Sequence, residues 1–395
     1  MSVQVANRGT VPYGIFTVAV LAFLAVFAVL LAFRIGGKGV KSLAEVFPGK
    51  ALFVRFNGGY NRLLGRRLCN NRVRLRNGGL TFAACRIPDV LPAAAKETSL
   101  ARWLKAEGIP FIHVQAAMGV DLERTMVPEG FDLDGNEQAG AFVSALATDG
   151  VDVLDLRARF ARTANLVGRY YFRTDHHWTY DAAFEAAEEL CRRLLDMTGD
   201  DPRLAGRLDA SNWKRRLLPR WRLGSHGART GAWFAGLDDI PYYEPCFKME
   251  LTCDDFGGGK GMRQRAGGFR TVTMEPDFLK ASSSYSASCF TLHPRILTLG
   301  RFRNAKAPVD KRVLLIADSF GRPFPAYLLS VYRRVDFLDP RHFRRLKMGS
   351  VCDYISTWHP DVVVMLMNPT SLGAEFGDRG LDRGDRERMF DFGTP

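Results

Sequence analysis

The sequence has no C-x-x-C pair, no second long apolar run, no convincing internal repeat and no nucleic-acid recognition motif. Its seven cysteines are Cys69, Cys85, Cys191, Cys246, Cys253, Cys289 and Cys352, an odd count that leaves at least one unpaired. Without C-x-x-C spacing, neither a zinc ribbon nor thioredoxin-type chemistry is indicated. Cys191 falls on the apolar face of an expected helix and reads as core. Cys246 and Cys253 are spaced for a small disulfide loop in an oxidising compartment, with free thiols as the alternative. A single spanning-length stretch argues against a polytopic membrane protein. Acidic residues are the scarcer charged class, 42 against 55 basic, which gives a net charge of +13. With no recognition motif, that excess fits an anionic surface or polymer better than nucleic acid. What is present is a chain of 395 residues, 47% hydrophobic and 25% charged, long enough for a sizeable core and too apolar for disorder.

The one long apolar run is Val11 to Phe33, which carries no charge. A helix of that length crosses a hydrocarbon core of roughly 30 Å. Tyr13 and Phe33 near its ends suit the interface. A cleaved signal peptide is the competing reading, but Arg34-Ile35-Gly36-Gly37-Lys38 is a poor cleavage site, so an uncleaved signal anchor is expected. The flanking charges, Arg8 on one side and Arg34, Lys38 and Lys41 on the other, lean towards a cytoplasmic body.

Beyond a linker, the sequence predicts a helical stretch at Asn61–Arg67 and a hairpin, Arg72–Arg76 and Leu80–Phe82 around Asn77-Gly78-Gly79. An α/β rhythm follows. Ala93–Glu107 reads as a helix ended by Gly108, and Tyr180–Met197 as a strongly amphipathic one. Strands are expected at Ile109–Val114, Val151–Leu156, Lys311–Ala317, Val335–Leu338 and Asp361–Met367. Alternation of this kind implies a mostly parallel sheet covered on both faces. Between about 200 and 300 the rhythm fails, and an irregular lobe over the sheet is expected. Arginines cluster early (Arg62, Arg66, Arg67, Arg72, Arg74, Arg76) and late (Arg333, Arg334, Arg341, Arg344, Arg345), as solvated faces or anion-binding patches.

Two segments carry candidate chemistry. Ile316-Ala317-Asp318-Ser319-Phe320 closes the strongest expected strand, where open α/β sheets present reactive groups. A Ser there can expose its hydroxyl beside helix-end amides, or Ser319 or Asp318 can simply cap the helix. The other is Thr174-Asp175-His176-His177-Trp178-Thr179. A serine hydroxyl needs a base, and the base an orienting group. In extended backbone Asp175 and His177 point to one side, so Asp175 can hold one imidazole nitrogen while the other faces Ser319. His176 then points away into a structural hydrogen bond, and Trp178 packs beside the site. A metal held by Asp175, His176 and His177 is the minor alternative, and neither a metal nor a cofactor is expected.

Thr174-Asp175-His176-His177-Trp178-Thr179 resembles the signature of the DHHW-motif proteins, which are similar to the SGNH-hydrolase-like domains of alginate O-acetyltransferases. Leu314–Phe324, with its Asp318-Ser319-Phe320, resembles that family's nucleophile block. Val335–Arg341 and Val363–Asn368 resemble its closing segments. The resemblance spans roughly residues 50 to 375. It implies an α/β, SGNH-hydrolase-like three-layer α/β/α sandwich, with Ser319 as nucleophile, His177 as base and Asp175 as its partner. Asn368, after a strand end, is an oxyanion donor or a turn residue. The resemblance also implies an extracytoplasmic body, against the flanking charges, and acyl chemistry on a cell-envelope polysaccharide.

The expected organisation is a tail (1–10), a transmembrane signal anchor (11–33), a linker (34–50), the SGNH-hydrolase-like domain (51–375, with the lobe at 200–300) and a charged tail without order (376–395). The expected function is a membrane-anchored, single-pass, extracytoplasmic O-acyltransferase, supplied with acyl groups by a membrane-bound O-acyltransferase partner. The alternatives are a carbohydrate esterase with the same triad and a non-catalytic glycan-binding or assembly protein. No nucleic-acid partner is expected.

Overall fold

The computed structural model describes residues 21–22, 26, 50–85, 87, 89–119, 127–131, 133–161, 166–257, 261–274, 298–372 and 387–393. Its centre is an eight-stranded sheet. The strands of that sheet are β4 (Phe111–Gln115), β5 (Asp152–Asp155), β8 (Leu251–Asp255), β9 (Arg263–Gly267), β10 (Leu299–Asn304), β11 (Val309–Ala317), β12 (Tyr332–Leu338) and β13 (Val362–Met367). They lie in the order β5-β4-β13-β11-β12-β10-β8-β9. The first five are parallel, and β10, β8 and β9 extend the sheet antiparallel.

Both faces of the central strands are buried, which is why β11 and β13 read as continuous apolar runs rather than alternating ones. Val313, Leu315 and Ala317 enter one core, and Leu314 and Ile316 enter the other. On the first face lies α4 (Tyr180–Thr198), which buries Phe184, Ala187, Leu190, Cys191, Leu194 and Leu195. On the second lie α2 (Leu91–Ala106) and α3 (Gly135–Thr148), with Leu100, Leu104, Phe142 and Leu146 buried. Helix α4 begins where the Thr179 hydroxyl accepts the Ala182 N–H and ends at Gly199 with φ 68°. The motif-bearing turn therefore sits directly before a well-capped helix start.

The hairpin forms between β2 (Arg72–Arg74) and β3 (Leu80–Phe82), flanked by β1 (Leu68–Cys69). Of Asn77 and Gly78, only Gly78 takes positive φ, 86°; the Asn77 side chain accepts the Gly79 N–H instead. The early helix, α1 (Lys50–Leu63), runs N-terminal to its expected position.

Three expectations are corrected. No described helix is long and apolar enough to cross a membrane. Helix α1 carries Arg55, Asn57, Asn61 and Arg62, and α4 is amphipathic. Of the expected span at 11–33, only Leu21, Ala22 and Val26 are among the described residues; the tail 1–10 and the linker short of Lys50 lie outside them. No helix among the described residues supports the expected membrane anchor, the membrane as partner or the single-pass localisation. The 200–300 stretch is not an irregular lobe throughout. Strand β6 (Trp213–Arg222) pairs with β7 (Asp238–Pro245) in a separate two-stranded sheet, while β8 and β9 join the central one. Polar residues on the exposed side hide the alternation of β8, in which Leu251 and Cys253 are buried and Thr252 is exposed. The C-terminal tail is ordered at 387–393, where Met389, Phe390 and Phe392 enter the second core and the Cys352 N–H donates to the Phe392 carbonyl. Cys246, which is exposed, and Cys253, which is buried, are free thiols.

Candidate active site

Two chain segments converge at the C-terminal end of the parallel strands. After β11, Asp318 turns the chain into a short 3₁₀ helix, Ser319–Gly321, its side chain accepting the Phe320 N–H at 2.8 Å. The other Asp318 oxygen accepts from the Asn368 N–H (2.9 Å), the Asn368 Nδ2 (3.1 Å) and the Ser371 hydroxyl (2.6 Å). Burial raises the Asp318 carboxyl above its usual range, and Arg341 and these donors oppose that shift. Asp318 thus ties the Ser319 turn to the loop after β13.

The second segment precedes α4. Here Asp175 and His177 do share a side: His177 Nδ1 lies 2.6 Å from Asp175 Oδ1, and His177 Nε2 lies 2.7 Å from Ser319 Oγ. His176 does not point away as expected: its Nδ1 lies 3.3 Å from Asp175 Oδ1, on the same side as His177. His176 Nδ1 is 3.1 Å from Ser225 Oγ, and its ring lies 3.8 Å from that of His177. Trp178 is buried, donates to the Phe320 carbonyl at 3.2 Å, and stacks on Phe324. It thereby clamps the turn behind Ser319. Asn368 Oδ1 accepts from the Thr370 N–H and hydroxyl, which fixes the side-chain amide with Nδ2 towards Asp318.

Residues from the supposed lobe complete the surroundings of Asp175. Arg222, at the end of β6, donates to Asp175 Oδ2 at 2.6 Å, as does the Ser225 N–H. The Gly224 N–H donates to the Thr174 hydroxyl at 2.7 Å. Asp238, on β7, accepts from the Thr174 N–H and hydroxyl. A Cβ at Gly224 would stand 2.4 Å from Asp175 Cβ and 2.5 Å from the Thr174 carbonyl oxygen, so only glycine fits this close approach. The sequence held no sign of Arg222, Ser225 or Asp238 beyond the basic Arg220-Trp221-Arg222, because nothing in its spacing ties β6 and β7 to residue 175.

The electrostatics favour a neutral base. Burial alone would raise the Asp175 carboxyl, but Arg222 and His177 outweigh it and hold it well below the usual carboxylate range. Burial pushes the His177 imidazole down to about 3, His176 acts in the same direction, and Asp175 opposes both. A neutral His177 ring leaves Nε2 as an acceptor facing the Ser319 hydroxyl. Donor atoms of Asp175, His176 and His177 lie within 4.8 Å of one another, a metal-compatible spacing. In this arrangement they are engaged with Arg222, Ser225 and Ser319. A cavity of about 20 Å³ adjoins His176, walled by Leu80, Phe82, Met118, Tyr171 and Asn368 among others.

Residues 91–213 match the family described as the SGNH hydrolase-like domain of acetyltransferase AlgX. Over those residues the chain is similar to an SGNH hydrolase-like domain. The fold is shared with PatB1 of Bacillus cereus, solved with a sulfonyl adduct: TM-score 0.61 and 17% identity, over 80% of this chain and 98% of that one. A second PatB1 structure gives TM-score 0.60 at 17% identity, over 78% and 94%. A DHHW family protein from Eubacterium siraeum gives TM-score 0.59 at 14% identity, over 81% and 96%. No curated protein matches the sequence. In SGNH-hydrolase-like terms, the matched family segment contains Asp175 and His177, and Ser319 lies beyond its end.

Proposed function

We propose that this SGNH-hydrolase-like chain transfers acyl groups on a polysaccharide through an acyl-Ser319 intermediate. The observation that carries the reading is the Ser319–His177–Asp175 relay, with contacts of 2.7 and 2.6 Å between buried or nearly buried groups. Ser319 Oγ attacks the ester carbonyl of the donor while its proton passes to His177 Nε2. Collapse of the tetrahedral intermediate breaks the bond to the leaving alcohol, which takes the proton from His177. His177 then removes the proton of an acceptor hydroxyl, whose oxygen attacks the acyl-Ser carbonyl; collapse breaks the bond to Ser319 Oγ, which takes that proton back from His177.

Asp175 keeps Nδ1 protonated and supports the imidazolium that forms in each half-reaction. In this reading the Asn368 side-chain amide, which gives one hydrogen to Asp318 Oδ2, is the candidate donor to the oxyanion. The acceptor separates transferase from esterase, and the family description of an acetyltransferase favours a sugar hydroxyl.

The test is turnover of an acetyl ester with and without an added oligosaccharide. Ser319-dependent transfer to the sugar ahead of water is the expected result. Hydrolysis alone would make the chain an esterase, and no Ser319-dependent turnover would remove the reading.

A further inference from the structure

Arg222 is not part of the Asp-His motif or the Ser block, yet its guanidinium reaches further into the triad than any other cation described. It is 2% exposed and Asp175 is 2% exposed, so the pair at 2.6 Å is shut away from water. Its Cζ lies over the Phe172 ring, 4.3 Å from the centroid, a cation–π contact. Its Nη2 and the Ser225 N–H share Asp175 Oδ2, while Oδ1 faces the His177 ring and backbone N–H and, at 3.3 Å, His176 Nδ1. The carboxylate is thereby divided: one oxygen faces a permanent cation, the other the base.

We propose that Arg222 is a positioning residue that keeps Asp175 ionised and oriented, and by claiming part of its charge keeps His177 in the neutral, proton-accepting form. The proposal rests on the acyl-transfer reading above. A bare buried carboxylate would favour imidazolium beside it, because the ion pair would be the only compensation for the burial of Asp175. With Arg222 already paired to that carboxylate, a proton on His177 places a second cation against a single anion. The other charged or titratable groups near His177 are His176, with Asp318 and Arg72 bearing on His176 in turn and the His226 ring 5.8 Å from it. His226 accepts the Arg72 Nε–H on Nδ1 at 2.8 Å, so it too is arranged as a neutral ring. The directions agree: Arg222 lowers Asp175 against the effect of burial, and it adds to burial and His176, the larger causes, in lowering His177.

The experiment follows the rate at which a sulfonyl fluoride labels Ser319 in the full chain across pH 4 to 8, for wild type, Arg222→Gln and Arg222→Lys, with a melting curve for each. In wild type the labelling rate should hold steady until well below the ordinary histidine range. In R222Q its acid limb should move up by about one pH unit or more. In R222K, which keeps the charge, the limb should stay near the wild-type position even where the rate falls. If R222Q is slower by one factor at every pH, with its limb unmoved, Arg222 is only a structural tie and the proposal fails. Should R222Q not fold, nitrogen NMR of the wild-type His177 ring decides: a neutral ring at pH 5.5 supports the proposal, and protonation near pH 6.5 overturns it. A folded wild type that is never labelled at Ser319 overturns the acyl-transfer reading together with the proposal, which distinguishes that failure from an unmoved limb.

Discussion

The Ser319 hydroxyl and the His177 imidazole meet at 2.7 Å although 142 residues separate them in sequence. The contact exists because β11 delivers Ser319 to the carboxyl edge of the sheet while the cap of α4 fixes the turn that carries His177. Replacing either side chain by alanine removes a partner in one proton transfer. Ser319→Ala and His177→Ala should each lower kcat on an acetyl ester by at least about 1,000-fold, and the double variant should lose little more. Steady-state kinetics on the three proteins check this.

The Gly224 backbone lies so close to Asp175 that a methyl group cannot enter without displacing it. Gly224→Ala should therefore lower kcat about tenfold or more through misplacement of Asp175, with a much smaller effect on KM. Equal loss in both parameters would mean that the substitution reached beyond the triad. A crystal structure of the variant should show the Asp175–His177 contact lengthened.

Met389, Phe390 and Phe392 are buried in the second core, and a truncation before residue 387 would expose the surface they cover. At about 1.5–3 kcal/mol for each large apolar side chain, the deletion should cost roughly 5 kcal/mol or more. Phe390→Ala alone should cost about 3–5 kcal/mol. Urea denaturation of both variants measures the loss. An unchanged midpoint would show that these residues do not pack in solution.

Asp336, on β12, is buried and hydrogen-bonded by the Tyr354 hydroxyl, and burial raises its carboxyl to about 7. A carboxyl raised above its unfolded value of about 3.9 binds more protons in the folded state than in the unfolded one. Its contribution is therefore fully present below the unfolded pKa and is lost as pH rises through about 7. Asp336→Asn removes this dependence. The melting temperature of the variant relative to wild type should be higher at pH 8 than at pH 5. A difference independent of pH would contradict the assignment.

The parallel core was legible in the sequence because its strands, buried on both faces, are uninterrupted apolar runs: Val313–Ala317 and Val362–Met367 admit few other readings. Helix α4 was legible from the helical spacing of its apolar residues. Asp175 and His177 were legible because a side-by-side geometry two residues apart is local. Arg222, Gly224 and Asp238 were not, because they reach Thr174 and Asp175 through a two-stranded sheet whose pairing is decided by packing against the body. Strand β9, with exposed or half-buried residues throughout, carries no alternation to read. The C-terminal anchor of Met389, Phe390 and Phe392 was concealed by the charged, glycine-rich residues before it.

The central claim is that Ser319 forms a covalent acyl intermediate by giving its proton to His177. Mass spectrometry of the full chain, quenched in acid during turnover of an acetyl ester, tests it most directly. The account predicts an acetyl group on the peptide that contains Ser319, absent in Ser319→Ala and scarcely formed in His177→Ala. An acetylated protein carrying the group elsewhere, or turnover that continues in Ser319→Ala, would contradict it.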